Sequence, residues 1–472
     1  MKKAYDDKQT ATIFVAVITA FITTFTGSAL NLSIPAMGAE FSASASSIGW
    51  VVTGYMLTVA ALSVPFGRMA DLTSRKKVLV SGILIFAVSS LAAAFSINMG
   101  MMLVLRICQG IGAAMIFCTN MAVLISAFPN KDRGKVLGYS TASTYIGLSA
   151  GPVVGGFLNN YLGWRSIFIL IFLISAIVLY TAFRKLPGDS KKLKEPLEEG
   201  KPLKWKEAPQ ADMLGNILYI AMIVLTLYGL SAFSTKLWAI WLIPLGIVAG
   251  VFFVRHELKT KKPVIEVRLF ASNIAYAFSN LAALLNYGAT FAISYLLSIY
   301  LQVVMDYSSQ AAGLILIAQP LIMALLSPYA GRLSDKISPF KLASFGMALC
   351  AAGLLFFVFI SESTPLWAII CALLIAGVGF AFFSSPNTNA VMACVEVSDY
   401  GVASSILATM RSIGHTTSMA IVTIIVGIYM GNTALADAKP DVLIHTMHTA
   451  FIVFTCICVV GIFISLKRKR KA

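Results

Sequence analysis

The sequence predicts an all-α polytopic membrane protein with 14 transmembrane helices, built as two pseudo-symmetric six-helix bundles with two further helices inserted between them. Three observations lead there. Hydrophobic residues make up 58% of the 472-residue chain and charged residues 12%, with a mean hydropathy of +0.85, a balance that no water-soluble globule carries. Fourteen apolar stretches approach the roughly 20 residues that a helix needs to cross a bilayer. Short motifs in the first half of the chain return in the second half, eight spans later.

The first seven spans have cores near 11–37, 48–70, 78–97, 101–127, 136–161, 166–183 and 213–233, and the others near 237–254, 273–303, 310–331, 340–360, 366–393, 400–430 and 443–466. The first stretch is too long for a signal-peptide core and lacks a small-residue cleavage site, so it counts as a helix of the mature chain. After span six, Leu186 to Ala211 is rich in Lys, Glu, Pro and Gly, the composition of a solvated linker. A second break follows span eight, where Arg255 to Phe270 carries five basic residues. The expected domains are therefore an N-terminal six-helix bundle over 1–186, a linker with two inserted transmembrane helices over 187–256, and a C-terminal six-helix bundle over 257–472.

The repeat is short but regular. Gly67, Arg68, Met69, Ala70 and Asp71, at the end of span two, return as Gly331, Arg332, Leu333, Ser334 and Asp335 at the end of span ten, a shift of 264 residues. Gly134 and Gly147 of span five are matched by Gly401 and Gly414 of span thirteen at a shift of 267. Spans nine to fourteen thus repeat one to six, and spans seven and eight are the insertion.

Basic residues orient the chain, because short cytoplasmic loops collect Lys and Arg. With the N-terminus inside, 31 of the 36 basic residues fall on the cytoplasmic side and only Arg165, Lys236 and Lys439 outside, leaving Arg106 and Arg411 within spans. Both chain ends are then expected in the cytoplasm, with the protein in the plasma membrane. The net charge of +16 has this membrane explanation; nucleic-acid binding would need a basic, aromatic-laced soluble segment of domain size, and there is none. All seven cysteines lie in or at the ends of apolar spans without a CxxC pair, which points to small packing residues and no disulfides. His445 and His448, at i and i+3, offer the only metal-like spacing and lack a nearby carboxylate or thiolate. No Walker loop occurs, so neither an enzyme nor a nucleotide-driven pump is indicated, and no cofactor or metal is expected.

Span five carries Gly147, Gly151, Pro152, Gly155 and Gly156 in the pattern GxxxGPxxGG. A Gly inside a helix costs roughly 1 kcal/mol relative to Ala and Pro several times more, so the run needs a reason. Close helix packing with a bend supplies one, because glycines four apart clear one face for a neighbour. Taken alone, that is ordinary membrane-helix packing.

Together these residues resemble the fourteen-helix drug:proton antiporter branch of the major facilitator superfamily, of the multidrug and tetracycline exporter kind, over nearly the whole chain. GRMADLTSRKK from Gly67 to Lys77 is similar to that superfamily's loop signature, and LRICQGIGAA from Leu105 to Ala114 to its motif with a membrane-embedded Arg. The Gly147 to Gly156 run is similar to the antiporter motif. LNLSIP from Leu30, WVVTGYML from Trp50, YLLSIYLQ from Tyr295 and GVASSILATMRSIG from Gly401 fit the same branch. The resemblance implies a proton-coupled secondary transporter that exports small amphiphilic compounds by alternating access, working as a monomer on protons and a small-molecule substrate within the lipid bilayer. It also implies that Asp71, paired with Arg75, latches the cytoplasmic side against a helix N-terminus of the other half, with Asp335 in the same role in the second copy. A routine surface ion pair is the competing reading of Asp71 and Arg75. Ser74 departs from the pattern, standing where the family usually has Gly.

A charge in the bilayer core costs from about 3 kcal/mol upward, so Arg106 and Arg411 should face a cavity or a partner. Arg106 is expected to influence protonation and closure, with snorkelling to the outer interface as the alternative. Arg411 lies about 11 residues into span thirteen, too deep for easy snorkelling. His415 is one turn away on the same face and is the titratable candidate for proton coupling; a histidine bonded between helices is the alternative. No Asp or Glu falls in the middle of any span, and Thr26 occupies the place where many relatives carry an acid. Neutral, zwitterionic or anionic substrates are therefore favoured over strongly cationic dyes.

The substrate cavity is expected between the halves. Its candidate polar lining is Asn31, Tyr55, Asn120 and Tyr145 in the first half and Asn286, Tyr295, Gln319 and Asn387 in the second, with Phe117, Phe291 and Phe382 as apolar contacts. Helix packing is an equal explanation for each, because polar residues also join membrane helices. An uptake symporter or facilitator for a small metabolite, with the same fold, is the alternative function.

Overall fold

A computed structural model describes residues 6–128, 130–187, 212–233, 236–260, 263–265, 267–334, 336–395, 400–431, 433 and 438–468. Asp335 and most of the expected linker, 188–211, lie outside the described residues. The first bundle comprises α1 (Asp7–Asn31), α2 (Ile34–Glu40), α3 (Ala45–Leu72), α4 (Arg75–Ala94), α5 (Met99–Ser126), α6 (Asn130–Leu162) and α7 (Arg165–Lys185). The inserted hairpin is α8 (Met213–Ala232), a 3₁₀ turn (Leu237–Trp241) and α9 (Leu242–Lys259). The second bundle has α10 (Arg268–Ser272), α11 (Ile274–Thr290), α12 (Ile293–Ile299), a π-turn (Tyr300–Val304), α13 (Ser309–Leu316), α14 (Ala318–Ser334), α15 (Pro339–Phe357), α16 (Leu366–Met392), α17 (Tyr400–Met430) and α18 (Pro440–Leu466). The described ends, Asp6 before α1 and Arg468 after α18, lie at one face, called here the termini face; the opposite one is the far face.

Thirteen of the helical stretches are long and apolar enough to cross a membrane. The fourteenth crossing is α6, which has 33 residues but opens with Asn130, Lys131, Asp132 and Arg133 and is rich in Gly and Ser. Side chains start several helices by accepting an otherwise unpaired N–H: Asp6 from Gln9 in a capping box for α1, Ser44 from Ser47 for α3, Ser74 from Lys77 for α4, and Asn273 from Tyr276 for α11. Span one is not continuous, because it ends at Asn31 and restarts as α2 with Pro35 in its first turn. Span ten breaks at Ile317, where Pro320 offers no N–H to the preceding turn.

The duplication shows in the packing. A Cβ on Gly82 of α4 would stand 2.7 Å from Met115 of α5, and one on Gly346 of α15 would press on Phe382 and Phe383 of α16 at the shifts already noted. Gly67 touches Cys118 and Gly331 touches Ser385, again equivalent pairs. Gly147 lies against Phe21 and Thr24 of α1, and Gly414 against Leu284, Tyr287 and Gly288 of α11. Small residues thus set the same helix approaches in both bundles, the arrangement expected where lipid gives no hydrophobic push between helices.

The inserted hairpin covers one seam between the bundles. Tyr219 donates to the Ala60 carbonyl (2.9 Å), Trp50 meets Tyr228 at 5.3 Å between ring centres, and Tyr219, Ile223, Leu227 and Phe253 bury against Ala60 and Ala61 of α3, with Ile413 of α17 at the edge.

At the far face, Glu40 accepts from Trp164 Nε1 (2.7 Å) and from Arg165 (2.7 Å), while Arg165 also donates to the Ser96 carbonyl (3.1 Å). The hydrogen bond from Arg165 holds the Glu40 carboxyl below its ordinary value of 4.5. A depressed acid stabilises the fold fully above its unfolded pKa and loses that contribution as pH falls through the folded one. The thermal-stability difference between wild type and Glu40→Gln is therefore expected to stay constant through neutral pH and to shrink only below about 4.5, as a differential melting series would read.

Candidate functional site

Among the described residues, hydrogen bonds between the two bundles gather between mid-span and the far face. The Ala45 N–H donates to the Thr433 carbonyl (2.9 Å) and Ser46 to that of Gly431 (3.1 Å), where the positive φ of 53° turns the chain. Thr53 meets Thr423 (3.1 Å), Thr416 donates to the Met56 carbonyl (3.0 Å), Ser298 to that of Asn31 (2.7 Å), and Asn159 to Ser309 Oγ (2.7 Å).

The glycine run of α6 has two separate faces. Gly147, Gly151 and Gly155 lie against α1, where an added Cβ would stand 2.7 Å from the Phe21 carbonyl oxygen, 2.5 Å from Ser28 Cβ and 2.7 Å from Ala29 Cβ. Thr24 and Ser28 donate across the same contact to the Thr144 (3.2 Å) and Leu148 (3.1 Å) carbonyls. Pro152 and Gly156 face the other bundle: the Pro152 carbonyl abuts Gly313 of α13, and Gly156 abuts the Ser309 carbonyl, backbone against backbone. The sequence signals close packing at this run, but not that its partners belong to two different bundles.

Near mid-membrane, span nine is interrupted at Phe291 and Ala292, between α11 and α12. Broken helical backbone at membrane depth must find partners in the protein, and the Ala292 N–H is met by Ser418 Oγ of α17 (3.2 Å). One turn before Ser418, His415 stacks on Phe291 (4.3 Å between centres) and meets Tyr287 edge-on (5.3 Å). Arg411, one turn further back, places its guanidinium 5.0 Å from the Tyr287 ring centre, with its Nε buried and unpartnered. Tyr287 also bonds Ser384 Oγ of α16 (3.0 Å). The structure thus brings Arg411, His415 and Phe291 together and adds Tyr287 and Ser418, neither of which sequence reasoning singled out. The polar face of α17, with Arg411, His415 and Ser418 at helical spacing, is the signal that could have found Ser418; nothing in the sequence marks Tyr287.

Arg106 is sealed inside the first bundle, 1% exposed. Its Nε donates to the Val51 carbonyl (2.9 Å), Nη1 bonds Gln109, Gln109 donates to Ser90 Oγ (2.7 Å), and the guanidinium lies 4.2 Å over Tyr55. Tyr55 therefore sits beneath Arg106, and the arginine ties α3, α4 and α5 together rather than reaching to the interface.

The other candidates are spread out. Asn31, at the end of α1, takes Ser298 on its carbonyl, and its Oδ1 is buried without a partner. Tyr295 is buried with its hydroxyl over Gly49 of the opposite bundle, lining a small pocket with Ala45, Val426 and Met447. Asn120 donates to the Ala16 carbonyl (3.1 Å), and Tyr145 is half-buried near Tyr287. Asn286 is buried beside Cys350, and the Gln319 backbone presses on Gly377. Phe117 is exposed, while Phe382 lies among the exposed Tyr329 and Phe345 rings. Asn387 is committed near the termini face, donating to the Ser279 carbonyl (3.2 Å) and accepting from Arg468 (2.6 Å). Asp71 and Arg75 pair with each other at 2.7 Å, and Asp71 is half exposed. Among the described residues, no group of three His, Cys, Asp or Glu could hold a metal ion.

The profile of the Major Facilitator Superfamily matches residues 16–415 and 279–472. The chain belongs to the Major Facilitator Superfamily. Its fold and family are those of multi-pass membrane transporters of small molecules. The chain is 31% identical over 405 residues to the riboflavin transporter RibZ of Clostridioides difficile, covering 85% of this chain and 84% of that one. It is 26% identical over 420 residues to the multidrug resistance protein Stp of Mycobacterium tuberculosis, covering 87% and 75%. Among solved structures, a bacterial homologue of the human lysosomal transporter Spinster, in an inward-facing and unoccupied conformation, superposes with a TM-score of 0.68 at 14% identity over 99% of this chain and 100% of that one.

The backbone contacts at Gly156 and Gly313 yield a direct test of the seam. Gly313→Leu and Gly156→Leu are expected to force the far-face seam apart, so that a cysteine placed at the buried Ser298 becomes labelled by a membrane-impermeant thiol reagent from the far side. Labelling equal to that in the parent protein would show that the seam tolerates the added side chain.

Proposed function

We propose that this chain is a proton-coupled exporter of small amphiphilic compounds, with neutral, zwitterionic or anionic substrates favoured over strongly cationic ones. The lobes 1–186 and 257–472 rock about a central site in the plasma membrane, with both termini cytoplasmic, and the chain works as a monomer. The single observation that carries this reading is the use of the antiporter-like run as the far-face seal: Gly147, Gly151 and Gly155 bind α6 to its own lobe, while Pro152 and Gly156 bind it to the other. Opening that seam and closing the termini face is one alternating-access stroke, in which Asp71, Arg75 and Asp335 latch the termini side. Substrate binds beside the break in span nine, where Arg411, His415, Tyr287 and Phe291 offer a cation and aromatic faces without a carboxylate. Support for drug efflux comes from the likeness to Stp.

A second reading is an uptake transporter for a small metabolite, favoured by the 31% identity to a riboflavin transporter and by the planar aromatic surroundings of His415. Inverted membrane vesicles with an imposed acid interior separate the two. Accumulation of riboflavin or of anionic fluorescein above vesicles lacking the protein supports export, and expulsion supports uptake. Ethidium is expected to be carried less than either; ethidium transport equal to both would refute the substrate preference.

His415→Ala is expected to alter the pH dependence of that transport at preserved expression. An unchanged profile removes His415 from the coupling step.

A further inference from the structure

We propose that Glu257, at the termini-face end of the inserted hairpin, is a proton-binding site of the transport cycle. The inference rests on the proton-coupled reading and names a carrier outside the central cavity. Glu257 is 1% exposed. Its Oε2 accepts the Ile265 N–H (3.0 Å), but its buried Oε1 has no hydrogen-bond partner among the described residues. Beside it stands a second acid. A Cβ on Gly215 would lie 2.5 Å from Asp212 Oδ2 and 2.6 Å from Glu257 Oε1, so the two carboxylates crowd one glycine.

Two neighbouring basic side chains, His256 and Arg268, already have partners. Asp212 accepts the Gly215 N–H (2.8 Å) and holds His256 Nε2 against both oxygens (2.8 and 3.0 Å). Arg268 directs Nη2 to the Leu258 (2.9 Å) and Thr260 (3.4 Å) carbonyls. Arg255 and Lys259 share the helix of Glu257, while Lys261, Lys262 and Glu266 lie outside the described residues. Among the described residues no cation forms an ion pair with Glu257. Two adjacent carboxylates in a dry site do not both ionise freely, and an unpartnered buried oxygen is costly. A proton from solution on Oε1 removes the repulsion between the two neighbouring carboxylates. No other bond breaks, and the proton returns to solution on release.

Proton binding has a mechanical consequence. The carboxylate of Glu257 anchors the connector that leads into the second bundle through Ile265, whose side chain packs both on the hairpin cluster with Tyr219 and Phe253 and on the main core. Neutralising Glu257 weakens that charge-assisted bond and frees the connector where the hairpin bridges α3 and α17.

The test uses infrared titration of the full chain in lipid nanodiscs. A protonated-carboxyl band is expected in wild type, absent in Glu257→Gln, restored at shifted frequency in Glu257→Asp, and moved to lower pH in Asp212→Asn, which removes the like charge. A band unchanged in Glu257→Gln and Asp212→Asn overturns the proposal. In riboflavin-loaded proteoliposomes, the ratio of gradient-driven to gradient-free transport is expected to fall about tenfold in Glu257→Gln, within the usual range of coupling energies, and to recover in Glu257→Asp. An unchanged ratio also overturns it. Wild-type transport that ignores the gradient sinks the proton-coupled reading instead, and the infrared titration then decides the site alone.

Discussion

Contact between bare backbones is the constraint on which this architecture depends. Lipid supplies no hydrophobic force to press helices together, so their approach is set by the surface each presents, and glycine presents the least. At the far face the Pro152 carbonyl reaches Gly313 and the Ser309 carbonyl reaches Gly156, distances that any side chain would prevent. The same principle fixes each bundle internally, at Gly82 and Gly112 in one and at Gly346 and Gly379 in the other. A contact made only of backbone has few rotamers to freeze, which suits the opening and closing seam proposed above.

Charge is distributed on a different principle. The two bundles share their glycine contacts but not their intramembrane basic residues: Arg106 has Leu373 at the equivalent place in the second half, and Arg411 and His415 have Thr144 and Leu148 in the first. Arg106 is held by the Val51 carbonyl, the Gln109 amide oxygen and the Tyr55 face, all within its own bundle. Arg411 is left with an unpartnered Nε beside an interrupted helix and an imidazole. A cation bonded within its own lobe holds a shape, whereas one with an unpartnered nitrogen beside broken backbone is the place proposed above for the substrate.

The inserted hairpin fits neither half of the repeat. It lies along α3 and α17, touching both bundles on one side, and carries two acids and a histidine at its base. Glu257 escaped the sequence reading because it stands at the end of span eight, among Arg255, Lys259, Lys261 and Lys262, where a carboxylate looks like part of a solvated charged turn. Its burial comes from Ile265 and Gly215, eight and 42 residues away, which no local pattern reports.

What the sequence settled by itself is whatever depends on composition and spacing. Hydropathy, the recurring Gly67 and Gly331 loops and the fourteen spans fixed a membrane transporter fold, and periodicity along α17 put Arg411 and His415 on one face. Partners were decided only in three dimensions. Tyr55 and Asn387 read as cavity polar groups, yet the first lies beneath Arg106 and the second holds Arg468, while Tyr287 and Ser418 entered the centre unannounced. The reason is physical: a membrane helix carries apolar residues toward lipid and protein alike, so its sequence does not say which side meets a neighbour, and only the packing of the helices decides.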